Sequence, residues 1–256
     1  MRVRHRIGLS ILCLGFAGSV APVALSADAP PAVIAAAVAD AARPKEDVDR
    51  DADRKPAQVA ALAGIKAGSK IAEMWPGGGY FTRVFSKAVG PTGVVYAMAP
   101  MPPPGAPAGR DPSAAVRALA ADANYANVKV VGFDPAVALP ELVDVVWTSL
   151  NYHDMHNRPG DYIATVNKAA LAALKPGGVY VVIDHAAEKG SGARDTQKLH
   201  RIDEDLVKQE VLAAGFEAAG DSALLRHADD GHDKGAHAVA RGKTDQFVLL
   251  FRKPRK

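Results

Sequence analysis

Asn151-Tyr152-His153-Asp154 follows directly on an apolar run, Asp144 to Leu150, and brings an amide, a phenol, an imidazole and a carboxylate together. An unperturbed imidazole titrates near pH 6.5, so it suits proton removal around neutrality. His153 is therefore the candidate general base, Asp154 its candidate orienting partner, and Asn151 and Tyr152 candidate hydrogen-bonding groups for a substrate. A second apolar run, Val181-Val182-Ile183, breaks into Asp184-His185, which makes both residues candidates to face the same substrate. The plainer reading of the first segment is helix capping, with Asp154 or Asn157 accepting from free N–H groups. Asp184 equally suits the start of the loop carrying Gly190 and Gly192. Further along, Arg201 in His200-Arg201-Ile202-Asp203 can hold an anionic group or pair with Asp203, Glu204 or Asp205.

Lys70-Ile71-Ala72-Glu73-Met74 runs into Trp75-Pro76-Gly77-Gly78-Gly79-Tyr80 and then into a helical pattern. A strand, a glycine turn and a helix in that order put free N–H groups and a close-approaching backbone beside a ligand at the carboxyl edge of a parallel sheet. A tight turn with no ligand is the alternative.

Around these segments the chain alternates short β-rich runs with helix-length amphipathic stretches, as parallel sheets with crossover helices do. Strands are expected at 70–74, 94–98, 128–132, 143–150 and 179–184. Helices are expected at 80–89, 112–122, 159–174 and 199–214. Runs 217–225 and 246–252 suit a closing antiparallel pair.

Glu73-x-Trp75-x-Gly77-x-Gly79 resembles the acid-x-Gly-x-Gly-x-Gly motif of class I S-adenosylmethionine-dependent methyltransferases. Asp134, the segment Asn151 to Asp154, and Leu174-Lys175-Pro176-Gly177-Gly178 follow in the family's order. The resemblance spans residues 44–256. Trp-Pro-Gly-Gly-Gly-Tyr, Asn-Tyr-His-Asp and His-Arg-Ile-Asp together resemble a branch of predicted methyltransferases that carry export signals. It implies a Rossmann-like, mostly parallel seven-stranded sheet with helices on both faces. It also implies S-adenosylmethionine as cofactor, bound by Glu73, Trp75, Gly77, Gly78, Gly79 and Asp134, with a small-molecule acceptor near His153.

Two departures lower the affinity expected for that cofactor. Trp75 stands where the motif has its first glycine, and Tyr96 to Pro100 supplies no acid to accept from ribose hydroxyls. Losing such an acceptor costs roughly 1 to 3 kcal/mol, one or two decades in affinity. A non-catalytic exported binding protein on the same fold is accordingly the alternative function. A nicotinamide-dependent oxidoreductase is disfavoured, because the acid expected about 20 residues past the glycines is absent as well.

The ends and composition set the remaining bounds. Arg2, Arg4 and Arg6 precede an apolar run from Ile7 to Val20, and Leu25-Ser26-Ala27 suits cleavage, so residues 1–27 read as a secretory signal peptide. That predicts export, into the periplasm of a bacterium, and no membrane anchor once the leader is removed. Residues 28–43, rich in Ala and Pro, read as a flexible lead-in or one amphipathic helix, and 44–256 as the methyltransferase-like domain. The mature chain balances 28 basic against 28 acidic residues and has no basic stripe, which argues against a nucleic-acid partner. Cys13, within the leader, is the sole cysteine, so the mature chain forms no disulfide and performs no thiol chemistry. His227, Asp229, Asp230, His232, Asp233 and His237 crowd a polar insertion at 226–243, but without a recognised ligand spacing; no metal site is expected there.

Overall fold

The structure, a computed structural model, describes residues 29–102, Gly105, Pro107, Gly109 and 111–256. The expected signal peptide at 1–27 lies outside the described residues. Within the segment read as a flexible lead-in or one amphipathic helix lies helix α1 (Ala32–Val38), whose Ile34 and Ala37 are buried. Short side chains let this helix pack closely against the rest of the fold. Short helices α2 (Lys45–Val48) and α3 (Asp51–Arg54) follow, then α4 (Pro56–Leu62).

Next come β1 (Lys70–Met74), α5 (Tyr80–Val89), β2 (Val94–Ala99), α6 (Ala114–Ala121), β3 (Val128–Gly132) and β4 (Val143–Ser149). The remainder is α7 (Tyr152–His156), α8 (Tyr162–Ala173), β5 (Leu174–His185), α9 (Glu204–Ala213), β6 (Glu217–Ser222) and β7 (Gln246–Arg252). The strands form one seven-stranded sheet in the order β3-β2-β1-β4-β5-β7-β6. Pairing is parallel from β3 to β5, and β7 runs antiparallel to both β5 and β6.

The apolar runs make this sheet because successive side chains point to opposite faces and both faces are covered. Ile71, Val95, Val145, Trp147, Val181 and Ile183 join one core with α1, α4 and α5. Ala72, Tyr96, Val146, Tyr180 and Val182 join a second core with α7, α8 and α9. Phe81 and Phe85, one turn apart on α5, meet Trp147 of β4 at ring separations of 4.9 and 5.0 Å, which seats α5 across β1 and β4.

Strand order reverses between β1 and β4, the point where open α/β sheets bind ligands. Register aligns the carboxyl ends there: Met74 lies opposite Thr148, and Ser149 opposite Ile183. The glycine turn, the Asn151 segment and Asp184-His185 therefore open onto one edge. Beyond that edge Ile202 forms a parallel bridge to Ala186, so α9 begins at Glu204 rather than 199, with the Asp203 side chain accepting from the Asp205 N–H.

Candidate active site

The turn after β1 keeps a glycine-type backbone although a tryptophan begins it. Trp75, Gly77 and Gly79 have φ of 52°, 56° and 84°. At Gly79 the positive φ favours glycine, and an added Cβ would also push on the end of the Leu119 side chain, whose Cδ1 would lie 2.6 Å away. The Trp75 indole turns toward Phe133, edge-on with ring centres 6.1 Å apart, and the Arg158 guanidinium lies 5.3 Å from it. Its buried Nε1–H has no partner among the described residues.

A hollow of about 220 Å³ remains between this turn and Asn151, lined among others by Glu73, Trp75, Gly77, Gly78, Arg50 and Arg54. A second hollow of about 430 Å³ continues from it, sharing Arg50, Arg54 and Leu150 and adding His185 and His237. Glu73 is buried at the floor, where Thr82 Oγ1 donates to it at 2.6 Å. Burial pushes the Glu73 carboxyl up to about 8, against the opposing pull of Thr82, Arg54 and Arg83. Burial, with Arg50 adjacent, draws the Arg54 guanidinium down to about 10.

Asn151 ties the ends of β1 and β4 together, donating to the Trp75 and Ser149 carbonyls at 2.9 Å each. Asp134 does not line this hollow: it is exposed, and its carboxylate accepts the Ala136 N–H in its own loop.

Beyond Asn151, α7 presents His153. Its Nδ1 lies 2.8 Å from Asp184 Oδ1, and its backbone N–H donates to Asp184 Oδ2 at 2.8 Å. Asp184, not Asp154, therefore orients this imidazole. Asp154 Oδ1 stands on the opposite side, 3.4 Å from His153 Nε2. Burial works to lower the His153 pKa, but the charge and hydrogen bond of Asp184 and the charge of Asp154 outweigh it, holding the imidazole above its ordinary value. Burial likewise opposes ionisation of Asp184, yet His153 and His185 keep that carboxyl below the usual range.

His185 lies on the wall of the larger hollow, its ring centre 6.2 Å from that of His153 and its buried Nδ1 without a partner among the described residues. Burial drives its pKa down to about 4, so it is a neutral imidazole near pH 7.

Tyr152, a candidate to hydrogen-bond a substrate, and Arg201, read either as an anion-binding group or as half of an ion pair, both lie in the interior. Tyr152 is fully buried in the second core, where its hydroxyl donates to Glu210 at 3.0 Å and accepts from Asn167 at 2.8 Å. Arg201 is also fully buried, paired with Asp230 at 2.8 Å and donating to the Ala186 and Lys234 carbonyls. Its partner thus comes from the 226–243 insertion rather than from Asp203, Glu204 or Asp205. His200, beside it, completes a cluster that sequence reasoning missed: its Nδ1 is 3.3 Å from His153 Nε2 and 3.5 Å from Asp154 Oδ1.

No protein-family model matches the chain, and no curated protein is significantly similar to it. Solved structures do match. A SAM-dependent methyltransferase from Aquifex aeolicus superposes with a TM-score of 0.57 at 18% identity, over 82% of this chain and 95% of that one. An arsenic(III) S-adenosylmethionine methyltransferase from Chlamydomonas reinhardtii gives 0.55 at 17% identity, over 88% and 74%. The chain has the Rossmann-like fold of class I methyltransferases. The cyclase SpnF also superposes, with a TM-score of 0.56 at 19% identity over 80% of this chain and 82% of its own, so the likeness fixes architecture and leaves chemistry to the site.

Proposed function

We propose that this protein transfers the methyl group of S-adenosylmethionine to a small-molecule acceptor. The observation that carries the reading is the pair of adjoining hollows that share Arg50, Arg54 and Leu150, the first lined by both arginines and Glu73, with an oriented imidazole nearby on α7.

The residues present fit the amino-acid end of the cofactor. Arg50 and Arg54 offer guanidinium donors to a carboxylate, Glu73 offers an acceptor to an ammonium, and Gly77 and Gly78 leave open space where any Cβ would point. The nucleoside end is less well provided, because β2 ends in Met98-Ala99 and brings no carboxylate to the ribose. When bound, the sulfonium supplies an already activated methyl group, so alignment of the two reactants does most of the work. His153 Nε2 takes the acceptor's proton, and Asp184 holds the ring and its tautomer while it does so.

Calorimetric titration with S-adenosylmethionine and S-adenosylhomocysteine tests this. Micromolar binding supports the enzyme; no heat and no melting shift with either compound sinks it and leaves the non-catalytic binder. His153→Ala should lower turnover and leave cofactor affinity nearly intact. We also assign the mature protein to the periplasm, on the leader-like start alone; the protein recovered from the envelope should begin at Asp28.

A further inference from the structure

Three ligating atoms stand at the corners of a nearly equilateral triangle: His153 Nε2, His200 Nδ1 and Asp154 Oδ1, with sides of 3.3, 3.4 and 3.5 Å. Four ligands arranged tetrahedrally around Zn²⁺ at about 2.0–2.1 Å are about 3.3–3.4 Å apart. Neighbouring oxygens of an octahedral Mg²⁺ site, at similar bond lengths, come closer, about 2.9–3.0 Å. The observed edges match the tetrahedron.

The surroundings match it too. Asp184 accepts from His153 Nδ1, which directs the Nε2 lone pair into the triangle. A carboxylate behind a histidine ligand is the usual way to fix the metal-binding tautomer. With Nδ1–H committed, Nε2 of the neutral ring turns its lone pair toward the Asp154 carboxylate 3.4 Å away, a gap that either a proton or a shared cation bridges. His200 is held on the other side: its backbone has φ of 52°, Arg201 next to it is anchored in the interior, and its ring packs against His237 with centres 4.7 Å apart. Asp154 and His200 keep 39% and 35% of their side-chain surface exposed, which leaves a path from solvent.

We infer that His153, Asp154 and His200 form a binding site for a divalent metal ion, Zn²⁺ by geometry, with a fourth position open. Two imidazoles and one carboxylate with a free position are the donor set of catalytic rather than structural zinc. The site concerns the acceptor end only, so it stands whether or not the sulfonium cofactor binds. Its use in methyl transfer does rest on the function proposed above. An acceptor oxygen or sulfur in the fourth position would release its proton to solvent water on coordination, and His153 Nε2 would then serve as ligand instead of base.

The test uses mature protein stripped with a chelator and titrated calorimetrically with ZnCl₂, without S-adenosylmethionine. One Zn²⁺ per chain is expected, with a raised melting temperature. His200→Ala and Asp154→Asn should each weaken binding by at least about 100-fold, and Asp184→Asn, which acts through His153, by 10- to 100-fold. Asp122→Asn, on the exposed turn after α6, should change nothing. Unaltered affinity in both His200→Ala and Asp154→Asn overturns the site, as does sub-stoichiometric binding by the parent protein. If a variant fails to fold, Co²⁺ added to the parent decides: intense visible bands indicate the tetrahedral site, and the weak pink absorption of octahedral Co²⁺ refutes it.

Discussion

Asp184 grips His153 twice, with one carboxylate oxygen 2.8 Å from the ring Nδ1 and the other accepting the backbone N–H at 2.8 Å. The last residues of β5 thereby set both the position of α7 and the tautomer of the imidazole it carries. Asp184→Asn can retain one contact, but its amide cannot accept at both places. Turnover should fall by about 100-fold or more, in the range of a lost oriented base. Cofactor affinity should hold, and steady-state kinetics beside calorimetry would separate the two. An equal loss of both would mean that Asp184 supports the whole edge of the sheet rather than the imidazole.

Trp75 invites the opposite kind of change. Its φ of 52° costs a non-glycine residue about 1–2 kcal/mol, and its Nε1–H is buried without a partner among the described residues. Trp75→Gly removes both penalties and the packing on Phe133, so net stability should move by no more than about 2 kcal/mol. Space between Phe133 and Arg158 would open beside the turn. S-Adenosylmethionine should then bind about tenfold more tightly, measured by titration; unchanged or weaker binding would show that the indole is part of the ligand's bed.

The strands were legible because every central one is buried on both faces, which leaves a short continuous apolar run bounded by polar residues. Where the sequence misled, the deciding contact came from far along the chain. β5 begins at Leu174, ahead of the Pro-Gly-Gly that reads as a turn, because Gly177 and Gly178 exchange backbone hydrogen bonds with Lys253 after β7. Asp154 was the natural partner for His153 by adjacency, yet the sheet brings Asp184 closer in the needed direction. His200 reaches the site only through the bridge between Ala186 and Ile202. Its motif is visible in the sequence, but nothing local to it points to His153, 47 residues earlier.

Glu73 should make stability depend on pH with an unusual sign. Its folded carboxyl is raised to about 8 by burial, from an ordinary 4.5. Between those values the folded state keeps a proton that the unfolded state has released. Stability from this group is therefore greatest below pH 4.5, falls by about 1.4 kcal/mol per unit through the window, and levels off above pH 8. Glu73→Gln should flatten that slope in urea unfolding curves taken from pH 5 to 9. A parent protein with no downward slope assignable to residue 73 would refute the neutral carboxyl.

Arg201 and Asp230 form a further buried ion pair whose loss should be felt at a distance. Both are nearly inaccessible, and the pair joins the 226–243 insertion to the segment carrying His200. Removing one partner of such a pair leaves the other charge buried and uncompensated, at a cost of about 3–5 kcal/mol. Asp230→Asn keeps the shape and discards the charge, so its unfolding free energy from urea curves should drop by that amount, with a lower midpoint and an unchanged slope. Because Arg201 anchors the turn bearing His200, the same variant should also weaken Zn²⁺ binding while leaving S-adenosylmethionine affinity alone. A stability loss without any change at the cation site would mean that His200 is held by its contact with His237 instead.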